Sequence, residues 1–244
     1  MIFVFPEDGE TDAASENSRS ISNAEFFTRL GRGLINAIAD ATEDGQVFRV
    51  DMRLRPNGES GPLVCSFEML ENYFVVQGRE WERYAWIKAR PLTGGHHDEL
   101  DQIRLPFVFR KYFDFGAINA MRELHAQIRR EVAKKDMADN VKLGPGGIRE
   151  IEFIAQVFQL IRGGRDAPLQ IKPTQKVLTL LAERGILTPE VAGELDSAYD
   201  FLRRLEHRLQ YLDDAQTHSL PVGAEDRRRV ASAMGFASFE ALLE

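Results

Sequence analysis

A single cysteine, Cys65, stands among 244 residues, so no intrachain disulfide can form. A lone thiol of this kind usually serves as a small buried apolar group, and the usage suits a reducing cytoplasm. A basic excess is also missing. Lys and Arg total 31 against 38 Asp and Glu, a formal net charge of -7. That argues against a general nucleic-acid-binding surface. No apolar run approaches the roughly 20 residues needed to span a bilayer. Met1-Ile2-Phe3-Val4-Phe5 is too short for a secretory core and has no basic segment before it. No nucleic acid and no membrane are therefore expected as partners. Internal repeats, low-complexity tracts and a recognisable Ser/His/Asp arrangement are absent. His96-His97 lacks a set of Cys, Asp or Glu at metal-ligand spacing.

The composition that remains is 43% hydrophobic and 28% charged, ordinary for a soluble globular chain. Ile2 to Phe5 reads as a strand buried on both faces. Residues 6–20 read as a loop rich in Asp, Glu, Ser and Gly. Asn23 can cap a helix running to about Ala39, with Phe26, Phe27, Leu30, Leu34, Ile35 and Ile38 on its apolar face. Asp44-Gly45 predicts a turn. Residues 47–55 then alternate strictly, which predicts a strand: Phe48, Val50, Met52 and Leu54 on one face, Arg49, Asp51, Arg53 and Arg55 on the other. Beyond the turn at 56–62 the patterns turn helical. Phe67, Leu70 and Phe74 share one face; Trp81, Tyr84, Ala85 and Lys88 share another. Residues 91–95 look like a linker. Stripes at Ile151, Ile154, Val157, Phe158 and Ile161, at Val177, Leu180 and Leu181 with a stop at Gly185, and at Tyr199, Leu202, Leu205, Leu209 and Leu212 predict helices that need one another's surfaces.

Three segments could carry chemistry. The face Arg49-x-Asp51-x-Arg53-x-Arg55 offers guanidiniums that fit phosphate oxygens and a carboxylate that can share Mg²⁺ with them. It could equally be a solvated face on which Asp51 offsets its neighbours. The turn Pro56-Asn57-Gly58-Glu59-Ser60-Gly61-Pro62 can expose backbone N–H groups to an anion, or be a plain turn. Gly144-Pro145-Gly146-Gly147-Ile148-Arg149-Glu150-Ile151-Glu152 leads into a helix, where free amides favour anions. It does not match the nucleotide-binding glycine patterns, and a capped bundle helix explains it as well. Arg203-Arg204-Leu205-Glu206-His207-Arg208 reads as a charged helix face.

Taken together these blocks resemble a known family. Phe48-Arg-Val-Asp-Met-Arg-Leu-Arg-Pro56, Gly58-Glu-Ser-Gly-Pro-Leu-Val64, Gln77-Gly-Arg-Glu-Trp-Glu-Arg-Tyr84, Lys88-Ala-Arg90, Lys142-Leu-Gly-Pro-Gly-Gly-Ile-Arg-Glu-Ile-Glu-Phe153 and Phe201-Leu-Arg-Arg-Leu-Glu-His-Arg-Leu209 resemble glutamine synthetase adenylyltransferases, in family order. The family carries two similar halves. One attaches AMP to a tyrosine of glutamine synthetase; the other removes it by phosphorolysis, giving ADP. The wording here resembles the N-terminal, deadenylylating half.

The resemblance implies an α+β, mainly α fold. Residues 1–92 would be a truncated polymerase-β-like nucleotidyltransferase domain, without its Gly-rich turn and Asp-x-Asp strand. Residues 93–244 would be an all-α bundle like that of PII-uridylyltransferases. It implies Asp51 as the third metal carboxylate and catalytic residue, with Mg²⁺ as cofactor. Arg53, Arg55, Ser60 and Gly61 would be phosphate contacts. Gly146, Gly147, Arg149, Glu150 and Glu152 would be residues of a closing cleft. Glutamine synthetase, a PII-type signal protein, ATP, ADP and phosphate are the implied partners, and the cytoplasm the implied location. The chain alone is then expected to be inactive. Two other readings stay open: the adenylylating half, or a non-catalytic module that docks glutamine synthetase or a PII-type protein.

Overall fold

The computed structural model describes residues 1–12, 19–43, 45, 47–112, 119, 122–123, 126, 130, 137, 139–212 and 217–244. Part of the expected 6–20 loop, and Asp44 of the expected Asp44-Gly45 turn, lie outside them. Two compact units, Met1–Val108 and Phe109–Glu244, are each described by themselves.

In the first unit the Ser22 hydroxyl accepts the Glu25 N–H at 3.1 Å and starts helix α1 (Asn23–Ala39). The cap is thus one residue before Asn23, and the end is where the sequence puts it. Strands β1 (Phe3–Phe5) and β2 (Val64–Ser66) pair in parallel, with Phe3 opposite Val64 and Phe5 opposite Ser66. β2 is wholly buried; β1 is fully buried only at Phe5, not along its length as expected. Burial pushes the Cys65 thiol up to about 12, so it stays protonated at neutral pH. Helix α1 meets this sheet at Gly31, where an added Cβ would lie 3.1 Å from the Phe3 ring, and at Phe27, stacked on Phe5 at 5.1 Å. Its apolar stripe is wider than that contact. Phe26, Leu30 and Leu34 remain exposed.

The strand expected at 47–55 does not form. A strand exists only through its partner's N–H and C=O groups. Among the described residues this segment's backbone bonds to the rest of the chain are Phe48 N–H to Ile38 C=O, the Met1 amino group to Asp51 C=O and, within the following turn, Gly58 N–H to Arg55 C=O. The alternating pattern therefore buries nothing at Phe48 or Leu54, both exposed. The segment is irregular, and it closes in turns at 53–57.

The Ser66 hydroxyl caps helix α2 (Phe67–Val76), which buries Phe67, Leu70 and Phe74 as its spacing predicts. Helices α3 (Glu80–Trp86) and α4 (His97–Val108) complete the unit. The face expected on α3 is rotated. Trp81 is exposed, while Glu82, Arg83 and Trp86 are buried. The reason lies at the end of α4. Its terminal carbonyls have no helical donor, and Arg83 supplies one, donating to Phe107 C=O at 3.1 Å and to Val108 C=O at 3.0 Å. Phe107 stacks on Phe74 at 3.9 Å. These contacts carry the first unit to Val108, past the boundary expected at 92.

The second unit is helical. Helices α5 (Ile148–Arg162), α6 (Thr174–Glu183) and α7 (Pro189–Gln210) bury Ile151, Ala155, Val177, Leu178 and Leu181 around Leu169. Gly185, at φ 63°, ends α6 as expected. Helices α8 (Ala224–Met234) and α9 (Phe239–Leu243) close a second core on Leu205 and Leu209. The stripes at Val177, Leu180 and Leu181 and at Tyr199 to Leu212 are packed faces; the one expected on α5 is rotated, with Ile148, Ile151, Ala155, Gln156, Gln159 and Leu160 buried and Ile154, Val157 and Ile161 only half-buried. Among the described residues of this unit the only β-pairing is an isolated bridge between Asn140 and Ser219. The mainly α, α+β class holds, with one two-stranded sheet among the described residues.

Candidate functional site

Two motif blocks distant in sequence line one cavity of the first unit, about 300 Å³. Arg53, Arg55 and Ser60 come from the segment after α1, and Gln77, Arg79 and Trp81 from the α2–α3 junction. A second hollow of about 320 Å³ shares Arg53 and Arg55 and adds Asp51 and Glu59. The arginine-bearing segment therefore lies along both.

Asp51 is held by Arg53. The guanidinium donates to both carboxylate oxygens, from Nε to Oδ1 at 3.1 Å and from Nη2 to Oδ2 at 2.6 Å, and the Arg53 backbone N–H adds a bond of 2.9 Å to Oδ1. These hydrogen bonds from the Arg53 side chain, then its backbone, hold the Asp51 carboxyl well below the usual carboxylate range. The pair is solvent-exposed. Arg55 faces inward and donates to Met52 C=O at 2.9 Å and Glu59 C=O at 3.1 Å. It shapes the loop, and Arg53 presents the more accessible guanidinium. Among the described residues no three His, Cys, Asp or Glu side chains gather as a metal site.

The loop between them is set by geometry. Asn57 and Gly58 are left-handed, at φ 60° and 55°. The Ser60 hydroxyl donates to Asn57 C=O at 2.8 Å. Gly61 does not line the cavity. A Cβ there would stand 2.0 Å from the Pro56 carbonyl oxygen, a close approach only glycine allows. Gly61→Ala is accordingly expected to force the loop open and cost about 2 kcal/mol. Thermal unfolding checks this; an unchanged melting temperature would show that the loop relaxes freely.

The opposite wall has its own brace. Buried Glu82 accepts from the Tyr73 hydroxyl at 2.7 Å and from the Arg79 N–H at 2.9 Å. Burial first, and Glu82 next, raise the Tyr73 phenol above its ordinary value. Sequence reasoning singled out the block 77–84 but assigned no roles to Tyr73, Gln77, Arg79, Trp81 or Glu82. Its one hint was a strongly polar motif around a tryptophan.

The glycine-rich block of the second unit does local work. Gly146, at φ 71°, donates its N–H to Glu150 at 2.9 Å. Gly147 caps α5, where a Cβ would meet two carbonyls at 2.8 Å. Arg149 lies 3.6 Å from Glu152, which also accepts from the Tyr199 hydroxyl at 3.3 Å. Lys142, which opens this block, lies 3.2 Å from Glu206, a carboxylate only 2% exposed that also has Arg203 at 2.5 Å and His218 at 3.2 Å. The face 203–208, read as solvated, thus turns one carboxylate inward.

Residues 1–103 match the glutamate-ammonia ligase adenylyltransferase family, and residues 122–243 match the GlnD PII-uridylyltransferase family. The bifunctional glutamine synthetase adenylyltransferase/adenylyl-removing enzyme of Aromatoleum aromaticum is 68% identical over 243 residues, 100% of this chain. The chain belongs to that family.

Proteins of the same name from Chromobacterium violaceum and Neisseria meningitidis are 62% and 57% identical, over 100% and 99% of this chain. The chain spans 26% of the length of the Aromatoleum relative and 27% of the Chromobacterium one. The cavity-lining blocks 48–62 and 77–84 both fall inside the adenylyltransferase match, and the helical core of the second unit falls inside the uridylyltransferase match. No described helix is long and apolar enough to cross a membrane.

Proposed function

We propose that this chain carries the phosphate-facing part of the site that removes AMP from adenylylated glutamine synthetase. The observation that carries this is the convergence of the 48–62 and 77–84 blocks on one cavity with Arg53 and Arg79. Both guanidiniums carry their charge at any physiological pH and bind phosphate oxygens in a planar fork. The first unit is then part of a polymerase-β-like nucleotidyltransferase domain, residues 1–92 at its heart, and the second a helical domain that follows it in the chain.

In the reaction, a phosphate oxygen attacks the AMP phosphorus and the bond to the tyrosyl oxygen breaks. ADP leaves, and the tyrosyl oxygen takes up the proton the phosphate brought. Arg53 and Arg79 hold the two phosphoryl groups together and offset the charge that builds as they meet. Arg55, Ser60 and Gly61 keep the loop in the shape that aims Arg53. Gly146, Gly147, Arg149, Glu150 and Glu152 set the start of α5. The described residues do not form a Mg²⁺ site on their own. If Mg²⁺ is recruited, Asp51 is the carboxylate this chain contributes, and it must first release Arg53. Glutamine synthetase and a PII-type protein are the partners proposed for the longer protein, in the cytoplasm.

The 244-residue chain should bind inorganic phosphate, yet release no measurable ADP from adenylylated glutamine synthetase. Calorimetric titration and an ADP assay with Mg²⁺ and phosphate check the two halves of that expectation. Turnover matching that of the longer relatives would sink the second. ATP-dependent AMP transfer by the longer protein, lost with Arg53→Gln while phosphorolysis persists, would assign the site to the adenylylating reaction instead.

A further inference from the structure

Trp81 sits in an unusual place for a tryptophan. It lines the cavity that holds Arg53 and Arg79, and it is 38% exposed. The chain's other tryptophan, Trp86, lies one turn of α3 further on, buried edge-on against Phe74 at 5.1 Å. No ring of the described residues stacks on Trp81. Beside it, Gln77 and Arg79 line the same cavity, and no carboxylate of the described residues lies in ion-pair distance of the Arg79 guanidinium. The backbone of this wall is not free to drift, because Glu82 ties the Arg79 N–H to the Tyr73 hydroxyl.

An aromatic face left open beside the Arg79 guanidinium, with Arg53 across the cavity, asks for a ligand with a planar ring at one end and an anion at the other. A nucleotide has that form. Indole offers the ring a stacking surface. An amide such as that of Gln77 can give and accept one hydrogen bond each, the pattern that matches the amino group and ring nitrogen on one edge of adenine.

We propose that Trp81 and Gln77 form the base subsite of this cavity, with Trp81 stacking on an adenine ring and Gln77 reading its amino edge while Arg79 and Arg53 take the phosphate. The inference rests on the phosphate reading given above and deepens it by naming the residues that select the base. It makes Trp81 a specificity-determining residue rather than part of the bond-breaking machinery.

The test uses the 244-residue chain and three probes: inorganic phosphate, ribose 5-phosphate and AMP. AMP should bind about 10-fold more tightly than ribose 5-phosphate, the usual worth of one stacked base, and should change the tryptophan fluorescence. Trp81→Ala should remove that advantage and leave ribose 5-phosphate unaffected, whereas Trp81→Phe should keep most of it. Gln77→Ala should narrow the preference for AMP over GMP. Circular dichroism establishes that each variant is folded, as expected for exposed positions. If AMP binds no better than ribose 5-phosphate, or if Trp81→Ala weakens both alike, the base subsite is wrong and the phosphate reading stands. If none of the three probes binds, the phosphate reading falls and the base subsite with it.

Discussion

Replacing Glu206 with alanine should cost the second unit about 3 kcal/mol, near the lower end for breaking a buried ion pair. The carboxylate is 2% exposed and faces Arg203, Lys142 and His218. Burial first, then the Lys142 charge, holds His218 below its ordinary 6.5, so the charged partners at neutral pH are Lys142 and Arg203. Removing Glu206 leaves two cations facing each other around a polar void. They keep 32% and 38% of their side chains in solvent and can turn outward, which keeps the loss from reaching the top of the range. Glu206→Gln preserves the shape and some hydrogen bonds and should cost less than half as much. Urea unfolding followed by far-UV circular dichroism measures both. A Glu206→Ala variant as stable as the parent would show that the cluster is dispensable.

Changing Asp51 and Arg53 should separate two roles that their ion pair conceals. In the 244-residue chain, Asp51→Asn should raise phosphate affinity, because it frees the Arg53 guanidinium from its carboxylate. Arg53→Gln should lower that affinity. Neither should shift the melting temperature, since the pair is exposed and such pairs add little. In a longer relative that turns over, Arg53→Gln should slow ADP release about 100-fold, the usual loss when a preorganised charge-stabilising donor is removed. Asp51→Asn should also slow it if Asp51 serves a metal, and high Mg²⁺ or Mn²⁺ should then recover part of the rate. A normal rate with Asp51→Asn, alongside tighter phosphate binding, would leave Asp51 as a mask on Arg53 and remove it from the chemistry.

The sequence made local matters legible. The extent of α1, the buried trio Phe67, Leu70 and Phe74, and the stop at Gly185 all depend on spacing and on neighbours a few residues away. Residues 47–55 show where such reading stops. Alternation specifies which side chains would share a face, but it cannot supply the partner that makes a strand. β2 was missed for the complementary reason: three residues between a turn and a helix carry too little pattern, and only pairing with β1 defines them. The face of α3 was misread because Arg83 answers to carbonyls on α4, a contact no local periodicity encodes. Within the site, Asp51 and Arg53 are two residues apart, so their meeting was readable. That Gln77, Arg79 and Trp81 face Arg53 across a cavity is a product of tertiary structure.

The clamp at Arg83 also gives the two walls of that cavity unequal stiffness. Arg83 joins Phe107 C=O, Val108 C=O and Glu80, and a guanidinium so engaged resists exchange of the amides around it. The α3 wall cannot swing out without stripping the last carbonyls of α4. The facing wall is a loop at 56–61 whose conformation rests on short-range bonds and two left-handed residues. Breathing of the cavity therefore falls to the loop. A molecule entering it meets a braced side that carries Trp81 and Arg79 and a more yielding side that carries Arg53.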